Sequence, residues 1–197
     1  MAKNSVKSNF LRIISVLLGV LGAGWLFSTG WGGVFDYISG YSFKQNFFSY
    51  FFSTALFPVA TLLAAVLFFI VSLRDLEPLR KAFSLVTAIV SCVALIAYAV
   101  AIFDLGKTVG AYFSPAGIID VSSILLLVTY LLYSLYARNG GSIKNSAWTI
   151  GLIAIIILVV GAIYGYIAKD FGAKTTIQYV LTALAHLAVF YCGLRQY

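Results

Sequence analysis

Apolar residues along this chain are gathered into six stretches that are separated by short polar connections. A helix needs about 20 mostly apolar residues to cross roughly 30 Å of hydrocarbon, and each stretch meets that length. The six predicted spans lie near residues 10–28, 47–73, 82–103, 117–137, 147–168 and 175–194. Because little sequence remains outside them, the pattern predicts one all-α membrane domain over residues 1–197, a bundle of six transmembrane helices.

The composition agrees with a membrane protein and disagrees with a soluble one. Hydrophobic residues make up 62% of the 197 residues, and charged residues only 10%. Soluble domains carry about 25% charged residues. A soluble fold of this size has too little interior to bury so much apolar surface, so the lipid bilayer is the first partner we expect.

The basic residues predict the orientation, because cytoplasmic connections carry an excess of Lys and Arg. If the N-terminus is cytoplasmic, the basic residues on the inner side are Lys3, Lys7, Arg12, Arg74, Arg80, Lys81, Arg138, Lys144 and Arg195. Those on the outer side are Lys44, Lys107, Lys169 and Lys174. We therefore expect both termini in the cytoplasm and the protein in the plasma (cell inner) membrane.

The formal net charge of +7 is explained by this asymmetry and by lipid headgroups. Outside the predicted spans, no basic patch is interleaved with aromatic residues that stack on bases. The sequence therefore does not predict nucleic-acid binding.

Two predicted spans carry small residues at four-residue spacing, a pattern that lets helices approach closely. Span one has Ser15, Gly19 and Ala23, and span five has Gly161 and Gly165. We expect these residues to pack helices within the bundle. The alternative is an interface with another subunit.

Span three carries a stripe of small and polar residues at steps of three and four. Its members are Ser84, Thr87, Ser91, Ala94, Tyr98 and Ala101. Such spacing places them on one helix face. Lipid is a poor solvent for hydroxyl groups, so the stripe is expected to face protein and span three to be central.

Spans four and six hold the remaining candidate polar residues. Asp120 and Ser123 lie near the outer end of span four, and an acid there is either functional or a favourable charge at a helix N-terminus. Gln178, Thr182 and His186 share a face of span six. His186, the only histidine, is expected near the bilayer centre. There it either packs and bonds a hydroxyl or carbonyl of a neighbouring helix, such as a Ser or Thr of span three, or contacts a solute.

Most catalytic chemistries lack their residues in this sequence. A zinc or iron site needs three or four His, Cys or carboxylate ligands, and the chain has one histidine and two cysteines. It has no glycine-rich GxxxxGK[ST] loop for nucleotide phosphates. We therefore expect no enzyme activity, no metal and no cofactor.

Two functions remain. The first is binding or movement of a small neutral or cationic solute, as a subunit of a larger transport assembly. The candidate ligand-binding residues are Tyr98, Asp120, Ser123, Gln178, Thr182 and His186, beneath an outer loop rich in glycine and aromatic residues. The alternative is a non-catalytic accessory or scaffold subunit of a membrane protein complex.

Overall fold

The protein is helical throughout the part that the computed structural model describes, which is residues 10, 13–29, 56–57, 59–64, 66–67, 70, 77–104, 109–140 and 142–194. The helices are α1 (Ile13–Thr29), α2 (helical residues within 56–70), α3 (Glu77–Asp104), α4 (Pro115–Asn139), α5 (Ile143–Ile167) and α6 (Ala173–Leu194), with a short 3-10 helix (Val109–Phe113) before α4. No strand occurs among these residues. The first half of span two and the glycine-rich outer loop lie outside them.

Three of the described helices, α3, α4 and α5, are long and apolar enough to cross a membrane, and α1 is a shorter apolar helix. Large apolar side chains are exposed on the outer faces of these helices, among them Ile89, Ile96, Ile153, Ile156 and Val160. Contiguous exposed apolar surface of this kind is rare on soluble proteins. It fits a surface that is covered by lipid.

α3 begins earlier than the apolar pattern alone indicates, at Glu77 and not near residue 82. Its first turn is polar but well suited to a helix start. Pro78 lacks a backbone N–H, which the first turn of a helix does not need. The Glu77 carboxylate forms ion pairs with Lys81 at 2.9 Å and with Arg80 at 3.8 Å. The hydrophobic pattern therefore reports the apolar part of the helix, and the first turn extends beyond it.

α4 and α5 have well-defined ends. Ser114 caps α4, because its hydroxyl accepts the Gly117 amide at 3.1 Å and Pro115 follows as the first helical residue. After α5, Lys169 has a positive φ of 62°. The amides of Lys169 and Asp170 donate back to the carbonyls of Tyr166 and Gly165, which is the hydrogen-bond pattern of a Schellman turn.

α4 packs against both α3 and α5, and α6 packs against α5. The α4–α5 contact is close because Gly161 faces the side chain of Ile118 and the Ser122 hydroxyl donates to the Ala154 carbonyl at 2.8 Å. α1 lies against α6, where Gly22 meets the backbone of Ala185. α4 therefore has α3 on one side and α5 on the other.

The small residues at four-residue spacing in α1 and α5 are buried within the protein itself. Ser15, Gly19 and Ala23 of α1 are buried, as are Gly161 and Gly165 of α5. Gly165 receives the ring of Phe171 from the turn after α5. These small residues are thus covered by the protein's own side chains and backbone.

The polar stripe of α3 faces protein, as its spacing predicts. Ser84, Thr87, Ser91 and Ala94 are all buried. Ala94 lies in one cluster with Ala60 of α2 and Leu127 of α4. The stripe is therefore covered by α2 and α4.

Candidate functional site

The most unusual polar contact in the described structure joins α4 and α6 at the middle of both helices. The hydroxyl of Tyr130 lies 2.6 Å from Nδ1 of His186, and both side chains are fully buried. The sequence predicts a hydroxyl or carbonyl of a neighbouring helix as the partner of His186, for example a Ser or Thr of span three. The partner is a hydroxyl of a neighbouring helix, but it belongs to a tyrosine of α4.

A third helix contributes to this contact. Thr61 of α2 is fully buried, and its hydroxyl donates to the Phe57 carbonyl at 3.0 Å. The ring of Phe57 lies 5.7 Å from the His186 imidazole, centroid to centroid. The fully buried polar residues Thr61, Tyr130 and His186, which we call the buried triad, thus come from three helices.

A glycine of α5 makes room for the remaining wall of the site. A side chain at Gly151 would clash with the ring of Phe190, since an added Cβ would lie 2.7 Å from it. The absent side chain lets Phe190 lie between α5 and Tyr130, with 5.7 Å between its ring centroid and that of Tyr130. The triad is therefore bounded by aromatic rings on two sides.

The direction of the Tyr130–His186 hydrogen bond follows from the acidity of the two groups. A phenol, with a pKa near 10 in free tyrosine, is a good donor, and a neutral imidazole nitrogen is a strong acceptor. These properties favour Tyr130 as the donor and Nδ1 of His186 as the acceptor. The proton of the neutral imidazole then lies on Nε2, because the two ring nitrogens share one proton.

The Nε2 atom of His186 is buried and has no hydrogen-bond partner among the described residues. Leaving a buried donor unpaired costs about 1–3 kcal/mol. The Oγ atom of Ser91 is likewise buried without a hydrogen-bond partner among the described residues. α3 and α4 are antiparallel neighbours, and Ala94 and Leu127 share a cluster. One turn before Ala94 on α3 is Ser91, and one turn after Leu127 on α4 is Tyr130. Because the two helices run in opposite directions, Ser91 is level with Tyr130.

Most other buried hydroxyls are satisfied within their own helices. Each donates to a backbone carbonyl three or four residues earlier, at distances of 2.7–3.0 Å: Thr61, Ser84, Thr87, Thr129 and Ser134. Such bonds leave a hydroxyl proton unavailable to a solute. The unpartnered Nε2 of His186 and Oγ of Ser91 therefore stand out from the rest of the polar interior.

The predicted residues of α6 separate along the helix. Gln178 is exposed, and Thr182 is half-buried. The Thr182 hydroxyl donates to the Gln178 carbonyl at 2.8 Å and lies 3.4 Å from the indole nitrogen of Trp25. Only His186, one turn further on, reaches the buried interior.

The predicted residues of α3 and α4 also lie apart from His186. Asp120 and Ser123 are half-buried near the start of α4, and the Ser123 hydroxyl donates to the Ile119 carbonyl at 3.1 Å. Tyr98 packs, partly buried, beside the cluster that contains Ala94. Along α4, Asp120 is ten residues and Ser123 seven residues from Tyr130, which is roughly 15 Å and 10 Å of helix.

The described residues hold no group of three or more His, Cys, Asp or Glu side chains that could bind a metal ion. Comparison of the chain with models of known protein families, with curated proteins and with solved structures finds no match.

Proposed function

We propose that this chain is a small multi-pass membrane protein that binds a small solute inside its helical bundle, beside His186, as a subunit of a larger transport assembly. The observation that carries the proposal is the buried, unpartnered Nε2 of His186. In a bundle without a solute, this buried donor stays unpaired, at a cost of about 1–3 kcal/mol. A solute that accepts a hydrogen bond from Nε2 supplies the missing partner.

The proposal includes six spans with both termini in the cytoplasm. The described helices support this orientation, because the start of α3, the end of α4 and the start of α5 lie at one end of the bundle. These ends carry Arg80 and Lys81, Arg138, and Lys144. A cluster of basic residues at one end is typical of the cytoplasmic side of a membrane. The proposal places the protein in the plasma membrane.

A second candidate, a non-catalytic accessory or scaffold subunit, is favoured by a different observation. The hydroxyls of Ser84, Thr87 and Thr129 bond to their own helices and need no solute. In such a protein the exposed apolar surface would contact a partner chain as well as lipid. This candidate leaves the unpartnered Nε2 of His186 without a role.

Native mass spectrometry of the detergent-purified protein separates the two candidates. Solute binding predicts a reproducible extra mass of small-molecule size that is lost in His186→Leu and retained in Tyr164→Phe. Tyr164 is a suitable control because it is exposed on α5. An added mass equal to a whole protein chain, unchanged by His186→Leu and with no small molecule retained, would support the accessory subunit.

A further inference from the structure

We infer that the solute held at His186 is electrically neutral and presents an oxygen acceptor, such as an amide or ketone carbonyl, to Nε2–H. This inference rests on the proposed function and specifies its substrate class. It narrows the expectation from the sequence, which allows a neutral or a cationic solute. Three features of the buried triad support it.

The first feature is the polarity of the free group. The Tyr130 hydroxyl lies 2.6 Å from Nδ1. With the more acidic phenol as the donor of this bond, the unpartnered Nε2 carries the proton and acts as a donor. A donor selects an acceptor, so an ammonium group has nothing to bond at this atom. A cation is therefore excluded from direct contact with Nε2.

The second feature is the distance to any compensating charge. On one side, the closest described carboxylate by helix position is Asp120, ten residues or roughly 15 Å along α4 from Tyr130. On the other side, the Lys144 ammonium lies 5.9 Å from the ring centroid of Tyr136, and Tyr136 is roughly 9 Å along α4 from Tyr130.

Neither charge reaches the roughly 4 Å of a direct ion pair. Burying an unpaired charge at the middle of the bundle is costly. An anion beside His186 would accept from Nε2–H, but its charge would be unpaired among the described residues. A neutral acceptor forms the same hydrogen bond without that cost.

The third feature is the aromatic wall. The Phe57 ring is tilted by 56° to the imidazole at 5.7 Å, and the Phe190 ring by 55° to that of Tyr130 at the same distance. Flat, polarisable rings pack well against other flat groups. A planar carbonyl compound suits these surroundings.

The single histidine makes the test specific. In protein labelled with 15N-histidine, every imidazole signal belongs to His186, since the chain contains one histidine. The protein is reconstituted in phosphatidylcholine nanodiscs and titrated with benzamide, benzoate and benzylamine. At neutral pH these probes have similar shapes and are neutral, anionic and cationic, respectively.

The inference predicts that Nε2 is protonated, that Nδ1 is not, and that only benzamide shifts the Nε2–H signal saturably. Tyr130→Phe should weaken benzamide binding about threefold to tenfold, because the imidazole is no longer held in one tautomer. Tyr164→Phe should leave it unchanged. Repeating the measurement without any probe in ether-linked lipid distinguishes a lipid ester carbonyl from a free solute. If Nε2–H bonds a lipid ester carbonyl, its signal changes in the ether-linked lipid, and otherwise it does not.

Other outcomes overturn the inference. A proton on Nδ1, or saturable binding of benzoate or benzylamine but not of benzamide, would contradict the neutral-acceptor class while leaving solute binding intact. If no probe binds and Nε2–H bonds only to water, native mass spectrometry decides how far the failure extends. A retained small molecule would refute only the solute class, and its absence would refute the proposed function as well.

Discussion

Tyr130→Phe removes the hydroxyl that His186 uses as its described hydrogen-bond donor. The substitution preserves the ring and most of its packing, so the effect reports on the hydrogen bond. Hydrogen bonds between helices in membranes average about 0.6 kcal/mol and reach about 1.7 kcal/mol. The 2.6 Å distance and the complete burial of both partners place this bond at the upper end of that range.

The two single substitutions should differ. After Tyr130→Phe, both nitrogens of the buried His186 lack a described partner, and we expect a loss of about 2 kcal/mol in the free energy of unfolding. After His186→Leu, the Tyr130 hydroxyl is the one polar group that loses its partner, and we expect a loss of about 1 kcal/mol. The double variant leaves neither polar group behind, so the losses should not add, with a coupling energy of about 1–2 kcal/mol.

The assay is equilibrium unfolding in mixed micelles of dodecylmaltoside and sodium dodecyl sulfate, followed by circular dichroism. Tyr164→Phe on the exposed face of α5 serves as the control and should change stability by less than about 0.5 kcal/mol. A double variant whose loss equals the sum of the single losses within about 0.3 kcal/mol would refute the Tyr130–His186 bond. Equal losses for the two single variants would contradict the larger cost of leaving both imidazole nitrogens unpaired.

Three further predictions concern the scaffold, each measured by the same unfolding titration. Gly22→Ala should lower the free energy of unfolding by about 1–3 kcal/mol, because its Cβ would lie 2.6 Å from a carbonyl of α6. Its control, Gly24→Ala, faces open space and should be neutral or stabilising. Equal effects of the two substitutions would contradict the α1–α6 contact. Lys169→Gly should stabilise by about 0.5–1 kcal/mol because φ is 62° there, and a loss would contradict the turn geometry. Ser122→Ala should cost about 0.6–1 kcal/mol through its bond to the Ala154 carbonyl, and an unchanged midpoint would argue against that bond.

Features that depend on one helix were predictable from the sequence. The buried stripe of Ser84, Thr87 and Ser91 follows from spacing along α3 alone, and the lengths of α3, α4 and α5 follow from apolar content. Helix ends were less predictable. Glu77 and Lys81 form a helical turn through an ion pair, which an apolar pattern does not detect.

The site could be predicted only in part, because it depends on how helices are placed beside one another. Periodicity puts Gln178 and His186 on one face of α6, yet Gln178 is exposed and His186 buried. Different helices cover that face of α6 at different depths, and a single sequence does not show which helices these are. Tyr130 was visible as a polar residue at the middle of an apolar span, but the pairing with His186 required the rotation of both helices.

A high-resolution structure of the protein, purified from native membranes and held in lipid nanodiscs, tests the central claim most directly. The account predicts density that does not belong to the protein about 3 Å from Nε2 of His186, bounded by the rings of Phe57 and Phe190. A bundle in which Nε2 instead bonds a side chain or carbonyl of the protein itself, with no other molecule beside it, would contradict solute binding at this site.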